Sequence, residues 1–477
     1  MKQSLEVAEL KPSASWALAS LSLSMLMPSL DTSIANAGLP TLARAFTASF
    51  QEVQWIVLAY LLAITTLIVS VGRLGDIIGG RRLLLAGIFF FTMASLLCGV
   101  APTLWFLIAA RAWQGLGAAI MMVLTVAFVG ETVPKAKTGT AMGLLNTMSA
   151  IGTTLGPSLG GALIAGFGWR LIFLINVPLG ILNFLLAHRY LSLDRPAAKT
   201  DRAGFDIIGT LLLMLTLGAY ALAMTIGRGR FGPLNVVLLL AAVFGAGFFV
   251  LAEARTASPL LRLPMFRDPT LSASLTMSTL VMTVMMTTLV VAPFYLSRAL
   301  GLKPALVGLV LSVGPLVAAL TGVPAGRIVD RLGAQHMIIV GLVGIASGSS
   351  ILSTMPPRFG IAGYIAPIVV ITASYALFQT ANNTVIMTDV RSDQRGVISG
   401  MLSLSRNLGL ITGASVMGAV FALVSATTDT TTARPEAVAT GMRATFAVAA
   451  GLIIIAIAIA ARSRVLAERL SHRREWS

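Results

Sequence analysis

The sequence predicts an all-α protein that crosses a membrane many times. Its 477 residues are 56% hydrophobic and only 11% charged, and their mean hydropathy is +0.89. Apolar runs long enough to cross a bilayer, which takes roughly 20 residues, recur from Trp16 almost to the C-terminus. A soluble core could not bury this much apolar surface, so the fold class is a polytopic membrane protein.

The apolar runs predict fourteen membrane-spanning helices. They are expected at 14–38, 52–71, 83–101, 104–130, 139–165, 169–190, 205–226, 235–253, 270–297, 303–325, 336–354, 361–388, 396–424 and 442–462. Because this number is even, both termini lie on the same side of the membrane.

An internal repeat divides the spans into two sets of six. The segments Gly72–Arg82 and Gly326–His336 lie 254 residues apart, join the second and third spans of their sets, and share Gly, Arg, Asp and Gly in register. Transporters often contain such repeats. The predicted organisation is an N-terminal six-helix half (1–190), a two-helix insertion with flanking cytoplasmic loops (191–269), a C-terminal six-helix half (270–462) and a basic cytoplasmic tail (463–477).

The basic residues predict the orientation. With the N-terminus inside, 23 of the 34 Lys and Arg fall on the cytoplasmic side, 9 outside and 2 within spans, which is the bias that orients membrane proteins. We therefore expect a multi-pass protein of the cytoplasmic (plasma) membrane with both termini in the cytoplasm. Its net charge of +16 indicates contact with anionic lipid headgroups, along which the tail is expected to lie, rather than nucleic acid binding.

Two charges stand out within the spans of the first half. Asp31 lies deeper in an apolar run than any other acidic residue, and Arg111 lies six residues into the fourth span. Ionisable groups inside a membrane are costly and usually functional. We expect Asp31 to bind a proton and Arg111 to balance its charge if that side chain faces it; the alternative for Arg111 is a side chain that snorkels to the interface. Asp206 and His188 lie at span ends and are interpreted as interface residues.

Several motifs resemble the major facilitator superfamily, and within it the fourteen-span drug:proton antiporter branch. The stretches LDTSIANAGLP and WRLIFLINVPLG are similar to sequences of that branch. The loop motif is matched by Gly72, Leu74, Gly75, Asp76, Gly79, Arg81 and Arg82, although Ile77 and Gly80 replace basic residues. The fourth-span motif is matched by Leu107, Arg111, Gln114, Gly115, Gly117, Ala118 and Ala119. The antiporter motif is matched by Gly152, Gly156, Pro157, Gly160 and Gly161. The resemblance implies the major facilitator fold and drug export by alternating access.

The repeated loop is a candidate conformational latch. Asp76 lies between two helix ends, where a carboxylate can accept hydrogen bonds from backbone N–H groups and pair with Arg. The candidate latch residues are Gly72, Asp76, Gly79, Arg81, Arg82, Asp330 and Arg331. The alternative is an ordinary short turn that carries positive charge.

Gly152, Gly156 and Gly160 recur at every fourth residue of the fifth span and form one helix face. Pro157 removes a backbone hydrogen bond beside them, and Gly161 follows. We expect this smooth, kinked face to contact a moving helix of the other half; the alternative is static packing of small residues.

Substrate contacts are expected near the midplane, where the two halves meet. Flexible Met side chains can repack around different apolar ligands, although core or lipid-facing Met is the alternative. Asn and Gln can bind substrate or simply join helices. The candidates are Met25, Met27, Asn36, Gln114, Asn146, Gln379, Asn382, Asn383 and Arg406.

The sequence indicates a transporter rather than an enzyme. Three His and one Cys give no metal-binding set, and no Walker loop is present to bind ATP, so we expect a proton gradient to supply the energy without a cofactor. The favoured function is proton-coupled export of an amphipathic small molecule. The alternatives are an exporter of one endogenous metabolite, such as a siderophore or antibiotic, and a membrane receptor or scaffold that no longer transports. A periplasmic adaptor stays open as a partner.

Overall fold

The computed structural model describes residues 12–48, 50–192, 206–225, 232–256, 259–388, 390–391, 394–425 and 434–475, and it is helical apart from short connections. In chain order the α-helices are α1 (Pro12–Ala45), α2 (Phe50–Ile78), α3 (Gly80–Gly99), α4 (Leu104–Thr132), α5 (Thr138–Phe167), α6 (Leu171–Leu174), α7 (Asn176–Tyr190), α8 (Ile207–Thr225), α9 (Pro233–Arg255), α10 (Pro269–Phe294), α11 (Pro304–Leu311), α12 (Val313–Leu332), α13 (Ala334–Thr354), α14 (Gly360–Thr388), α15 (Arg395–Val424) and α16 (Pro435–Glu475).

The all-α membrane fold predicted from the sequence is confirmed. In the described ranges, thirteen helical stretches are long and apolar enough to cross a membrane. The remaining long helix, α1, has 34 residues and carries several serines, Asp31 and two internal prolines. Pro at the first position of α9, α10, α11 and α16 starts those helices without losing a hydrogen bond, because the first N–H of a helix has no partner inside it.

Three of the predicted spans differ in detail. The span at 169–190 is divided into α6 and α7, and the span at 303–325 is divided into α11 and α12. Pro178 and Pro315 lie just after these breaks, and proline cannot donate the hydrogen bond that would continue the preceding helix. The last helix runs on to Glu475, so no break in secondary structure separates the predicted tail from the final span.

The helices pack in two sets with the same internal arrangement. In the first set (α1–α7), α1 packs on α5 and α7, while α4 packs on α2 and α3. In the second set (α10–α16), α10 packs on α15 and α16, while α14 packs on α12 and α13. The boundaries proposed for the halves stay a prediction, but the repeated packing agrees with the repeat in the sequence.

The two sets meet mainly at two helix pairs: α5 packs on α12, and α2 packs on α15. The remaining helices, α8 and α9, pack on each other, and α8 also contacts α2 and α15. The inserted pair therefore lies beside one of the two seams between the sets.

A single glycine connects the second span to the third in each set. Gly79 links α2 to α3 with φ of 104°, and Gly333 links α12 to α13 with φ of 87°. This left-handed backbone region strains any residue with a Cβ atom. The two turns lie at equivalent places in the sequence repeat, so the local geometry of the loop is repeated as well.

Candidate functional site

Asp31 lies on α1 in the interior of the first set, where its side chain is 1% exposed. Three side chains from other helices donate hydrogen bonds to its carboxylate. Arg111 Nη1 donates to Oδ2 in a close ion pair, while Gln114 Nε2 and Asn176 Nδ2 donate to Oδ1 at 3.0 and 2.8 Å. The charge is thus fully paired, which a carboxylate buried among apolar helices requires.

Arg111 is completely buried on α4 and its guanidinium faces Asp31 instead of the protein surface, which argues against the snorkelling alternative. Its Nε donates to the carbonyl oxygen of Ile56 on α2 at 3.1 Å, and its guanidinium lies 4.2 Å from the centre of the Tyr60 ring. Within the described ranges, Nη2 has no hydrogen-bond partner. Because α2 also contacts the guanidinium, the ion pair between α1 and α4 fixes all three helices relative to one another.

Gln114 connects the ion pair to α3. Its Oε1 accepts from Arg111 Nη1 at 2.6 Å, and its Nε2 donates to Ser95 Oγ at 2.8 Å as well as to Asp31. The structure therefore places Gln114 in direct contact with the Asp31–Arg111 pair, and its role as a substrate contact stays a prediction.

Asn176, Tyr60 and Ser95 belong to this cluster, which we call the Asp31 cluster, but sequence reasoning did not identify them. Asn176 is the first residue of α7 and lies within WRLIFLINVPLG. That stretch resembles the antiporter branch, but the resemblance assigned no role to Asn176. An amide inside that apolar stretch was the available signal. Tyr60 and Ser95 offered none, because single aromatic and hydroxyl residues are common in membrane helices.

A second polar cluster joins α14 and α15. The hydrogen-bonding neighbours of the Gln379 amide orient its oxygen toward Arg406, at 2.9 Å from Nη1, 3.1 Å from Nε and 3.2 Å from Nη2, and its nitrogen toward the Tyr375 hydroxyl. Tyr375 in turn donates to Met282 Sδ on α10 at 3.3 Å. In the part of the chain that the structure describes, no carboxylate forms an ion pair with Arg406.

The other substrate candidates are dispersed. Met25 and Met27 are buried in the core of the first set, and the exposed Asn36 bonds to the carbonyl of Thr32 one turn earlier on α1. Asn146 donates to Thr380 Oγ1 at 3.0 Å and so joins α5 to α14 across the two sets. Asn382 reaches the Ser274 carbonyl at 3.4 Å, and Asn383 is buried. Only Asn146, among these, makes a side-chain bond between the sets.

The two repeated loops reach across to the opposite set. Asp76 accepts from the backbone N–H groups of Gly396 and Val397, in the first turn of α15, at 2.8 and 3.0 Å. Asp330 accepts from the N–H groups of Gly139 and Thr140, in the first turn of α5, at 2.8 Å each, and from Thr140 Oγ1 at 2.6 Å. The predicted backbone hydrogen bonds are therefore present in both copies, and carboxylates at helix N-termini are stabilised by the helix dipole.

The Arg residues of the loops differ in their surroundings. Arg81 donates to the carbonyl oxygen of His188 at the end of α7, while Arg82 and Arg331 are exposed. At the same end, Arg395 of α15 pairs with Glu131 of α4 at 3.5 Å, which adds another link between the sets.

The glycine face of α5 corrects one expectation. Gly152, Gly156 and Gly160 lie against α1 of the same set, with Leu26, Ser33 and Ile34 as their nearest neighbours, and not against the other half. Gly161 has no atom within 4 Å of where a Cβ would be, and Pro157 is exposed. The spacing of the glycines predicts which face of α5 lacks side chains, but it does not predict which helix packs against that face.

Other glycines make the crossing between the sets. On α5, a Cβ at Gly139 or Gly143 would overlap backbone atoms of Gly326 or Gly322 on α12. Where α2 meets α15, a Cβ at Gly72 would overlap backbone atoms of Gly396, and a Cβ at Gly396 would overlap the carbonyl oxygen of Gly72. Close backbone approach of this kind requires small residues.

Comparison with known proteins identifies the family. Residues 21–414 and 275–475 match the Major Facilitator Superfamily. The multidrug resistance protein Stp of Mycobacterium tuberculosis is 33% identical over 84% of this chain and 74% of its own. The riboflavin transporter RibZ of Clostridioides difficile is 30% identical over 83% of this chain and 86% of its own. A bacterial homologue of the iron transporter ferroportin, solved in an outward-facing state, superposes with a TM-score of 0.66 at 15% identity, covering 95% of this chain and all of that one. The chain therefore belongs to the major facilitator superfamily and is a multi-pass membrane transport protein, not an enzyme.

Proposed function

We propose that this transporter is a proton-coupled antiporter that exports amphipathic drugs or toxic small molecules across the cytoplasmic membrane. The observation that carries the proposal is the Asp31 cluster, a buried acid whose charge is balanced by one arginine on another helix. Similarity to Stp, a multidrug resistance protein, supports the cargo class. The proton gradient supplies the energy, and no bound cofactor is needed.

Proton binding changes the charge balance of the cluster. When Asp31 gains a proton it becomes neutral, and the Arg111 guanidinium loses its counter-ion while keeping its bond to the Ile56 carbonyl. A buried charge without a counter-ion is costly. The arrangement of α1, α2 and α4 that the ion pair stabilises then has a higher free energy. Proton binding can in this way shift the equilibrium between two conformations.

The hydrogen bonds of Asp76 and Asp330 to the opposite set also contribute to the equilibrium between the two conformations. Both lie at the end of the molecule where the repeated loops carry Arg residues, and the bias of basic residues supports a cytoplasmic position for this end and for both termini. With both contacts formed, the sets are held together on the cytoplasmic side. This supports an outward-facing conformation, from which a proton could reach Asp31 from outside.

Replacing Asp31 with Asn should abolish drug-driven proton flux, because Asn keeps the shape of the side chain but cannot bind and release a proton. Flux is measured in proteoliposomes with a pH-sensitive dye. Asp31→Glu, which keeps a carboxyl group, should retain part of the coupling, and Glu436→Gln on the exposed first turn of α16 is the control for a lost surface charge. Unchanged coupled flux in Asp31→Asn would remove Asp31 from the mechanism.

On the substrate side, Arg406 and Gln379 form a candidate contact for an acceptor or anionic group of the cargo. The guanidinium is held by a neutral amide, with no described carboxylate paired to it, and the planar donor fork of a guanidinium is a strong ligand for anions.

Arg406→Gln is therefore expected to slow export of substrates that carry a negative or strongly accepting group about tenfold or more, the equivalent of one lost charged hydrogen bond. Cationic dyes should be affected less. Competition assays with paired dyes of opposite charge in an efflux-deficient host provide the measurement, and Arg358→Gln at an exposed position is the control. An equal loss for both dye classes would contradict direct contact with the cargo.

A second candidate function is export of one endogenous metabolite, which the likeness to a riboflavin transporter favours. A susceptibility panel separates the two. Protection of an efflux-deficient host against several unrelated dyes and antibiotics indicates multidrug export. Protection against none, with a correctly inserted protein, excludes multidrug export and leaves a dedicated exporter or a protein that no longer transports.

A further inference from the structure

Two carboxylates of the inserted helix pair are buried away from the Asp31 cluster. Asp206 immediately precedes α8 and is 9% exposed, and Glu253 in the last turn of α9 is 3% exposed. Each has one oxygen bound to a backbone N–H group: Asp206 Oδ1 accepts from Gly209 at 2.7 Å, and Glu253 Oε2 accepts from Leu261 at 3.2 Å. Sequence reasoning interpreted Asp206 as an interface residue, because it stands at a span end, and did not consider Glu253.

The remaining oxygens of the two groups converge on one point. Asp206 Oδ2 and Glu253 Oε1 are both buried and have no hydrogen-bond partner among the residues that the structure describes. Each lies 2.5 Å from the position that a Cβ atom on Gly209 would occupy, so the two oxygens are at most 5 Å apart. Only glycine at position 209 leaves room for both.

Two negative charges at this separation, both removed from water, repel each other strongly. Among the described residues, no Lys or Arg forms an ion pair with either group, and no cluster of three or more metal-ligating side chains exists. A positive charge that acts on Glu253 comes from Arg73, at the end of α2. A single proton held between the carboxylates removes the repulsion and gives one of the orphaned oxygens a donor, as in other buried carboxyl pairs.

We propose that Asp206 and Glu253 bind one shared proton and form a second proton site of this transporter, in the inserted helix pair. The site lies beside functional elements. Arg73 lies in the last turns of α2, which also carry Asp76. Leu261, whose backbone N–H donates to Glu253, belongs to the segment that leads into α10 and the second set. Release of the proton leaves two buried charges and loosens the insertion at this point.

The first test detects the shared proton directly. Infrared spectra of the purified transporter in lipid vesicles are recorded at neutral pH in the Asp31→Asn background, which removes any signal from that acid. We expect a carbonyl band of a protonated carboxyl group that shifts in heavy water and disappears in both Glu253→Gln and Asp206→Asn. Glu436→Gln, at an exposed position, should keep the band. Persistence of the band in both pair variants overturns the proposal.

The second test uses stability and does not depend on transport. A shared proton stabilises the folded protein at neutral pH and is lost as the pH rises, so the wild-type melting temperature should fall toward alkaline pH while that of Glu253→Gln stays level. Gly209→Ala, whose Cβ would displace both carboxylates, should melt earlier than Gly247→Ala, whose Cβ meets nothing within 4 Å. Stabilisation of the wild type, but not of Glu253→Gln, by added divalent cations would instead assign the pair to a metal ion and overturn the proton site.

Discussion

Arg111→Met should be among the most damaging single substitutions in this protein. It removes the partner of Asp31 and leaves a carboxylate that is 1% exposed without its counter-ion. Breaking a buried ion pair from one side costs about 3–5 kcal/mol, a large fraction of the stability of most proteins. We expect a low yield of folded protein and a melting temperature in detergent far below that of the wild type.

The double variant Asp31→Asn/Arg111→Met separates charge balance from function. With both charges removed, folding should recover to a large extent, because a buried ion pair can be replaced by neutral residues at little cost. Coupled proton flux should stay absent, because no acid is left in the Asp31 cluster. If the double variant melts as early as Arg111→Met alone, then Arg111 stabilises the fold through Ile56 and Tyr60 and not through its charge.

Gly72→Ala should prevent the two sets from closing at the latch end. A Cβ on Gly72 would overlap the carbonyl group of Gly396 in the first turn of α15, and backbone atoms cannot move aside as a flexible side chain can. Overpacking typically costs 1–3 kcal/mol, enough to shift the ratio of closed to open molecules by about tenfold. Transport should fall because one conformation of the cycle becomes inaccessible.

The measurement is a distance distribution between spin labels on the two sets. Cysteines at the exposed positions Ile78 and Leu332, at the ends of α2 and α12, are labelled in a Cys98→Ser background. The distribution in Gly72→Ala is expected to move to longer distances. Gly308→Ala on α11, whose Cβ meets nothing within 4 Å, should leave it unchanged. A wild-type distribution in Gly72→Ala would show that the seam tolerates the extra atom.

The sequence was sufficient to predict the fold class and the charged part of the site. Asp31 and Arg111 were conspicuous because charges are rare inside apolar runs, and the structure brings them together. The latch acids Asp76 and Asp330 were found because their loops repeat. In each case an unusual residue or a repetition carried the information.

Neutral partners and the pairing of helix faces could not be predicted in this way. Asn176 and Tyr60 complete the Asp31 cluster, but such residues occur throughout membrane helices. The glycine face of α5 was recognised from its spacing, yet its neighbour is α1 of the same set, because the choice of partner depends on how distant segments are arranged. The Asp206–Glu253 pair was missed because residues 47 apart in sequence meet only once α8 and α9 have packed.

The reciprocal arrangement of the two Asp contacts bears on how sharply the molecule switches. Asp76 of the first set holds α15 of the second, while Asp330 of the second holds α5 of the first. A rigid rotation of one set against the other must break both contacts in the same step. A partly opened molecule has therefore lost the hydrogen bonds of the closed form without gaining the conformational entropy of the open form, and it is unfavourable. Opening is therefore expected to be all-or-none, and weakening either contact alone should speed the switch about as much as weakening the other.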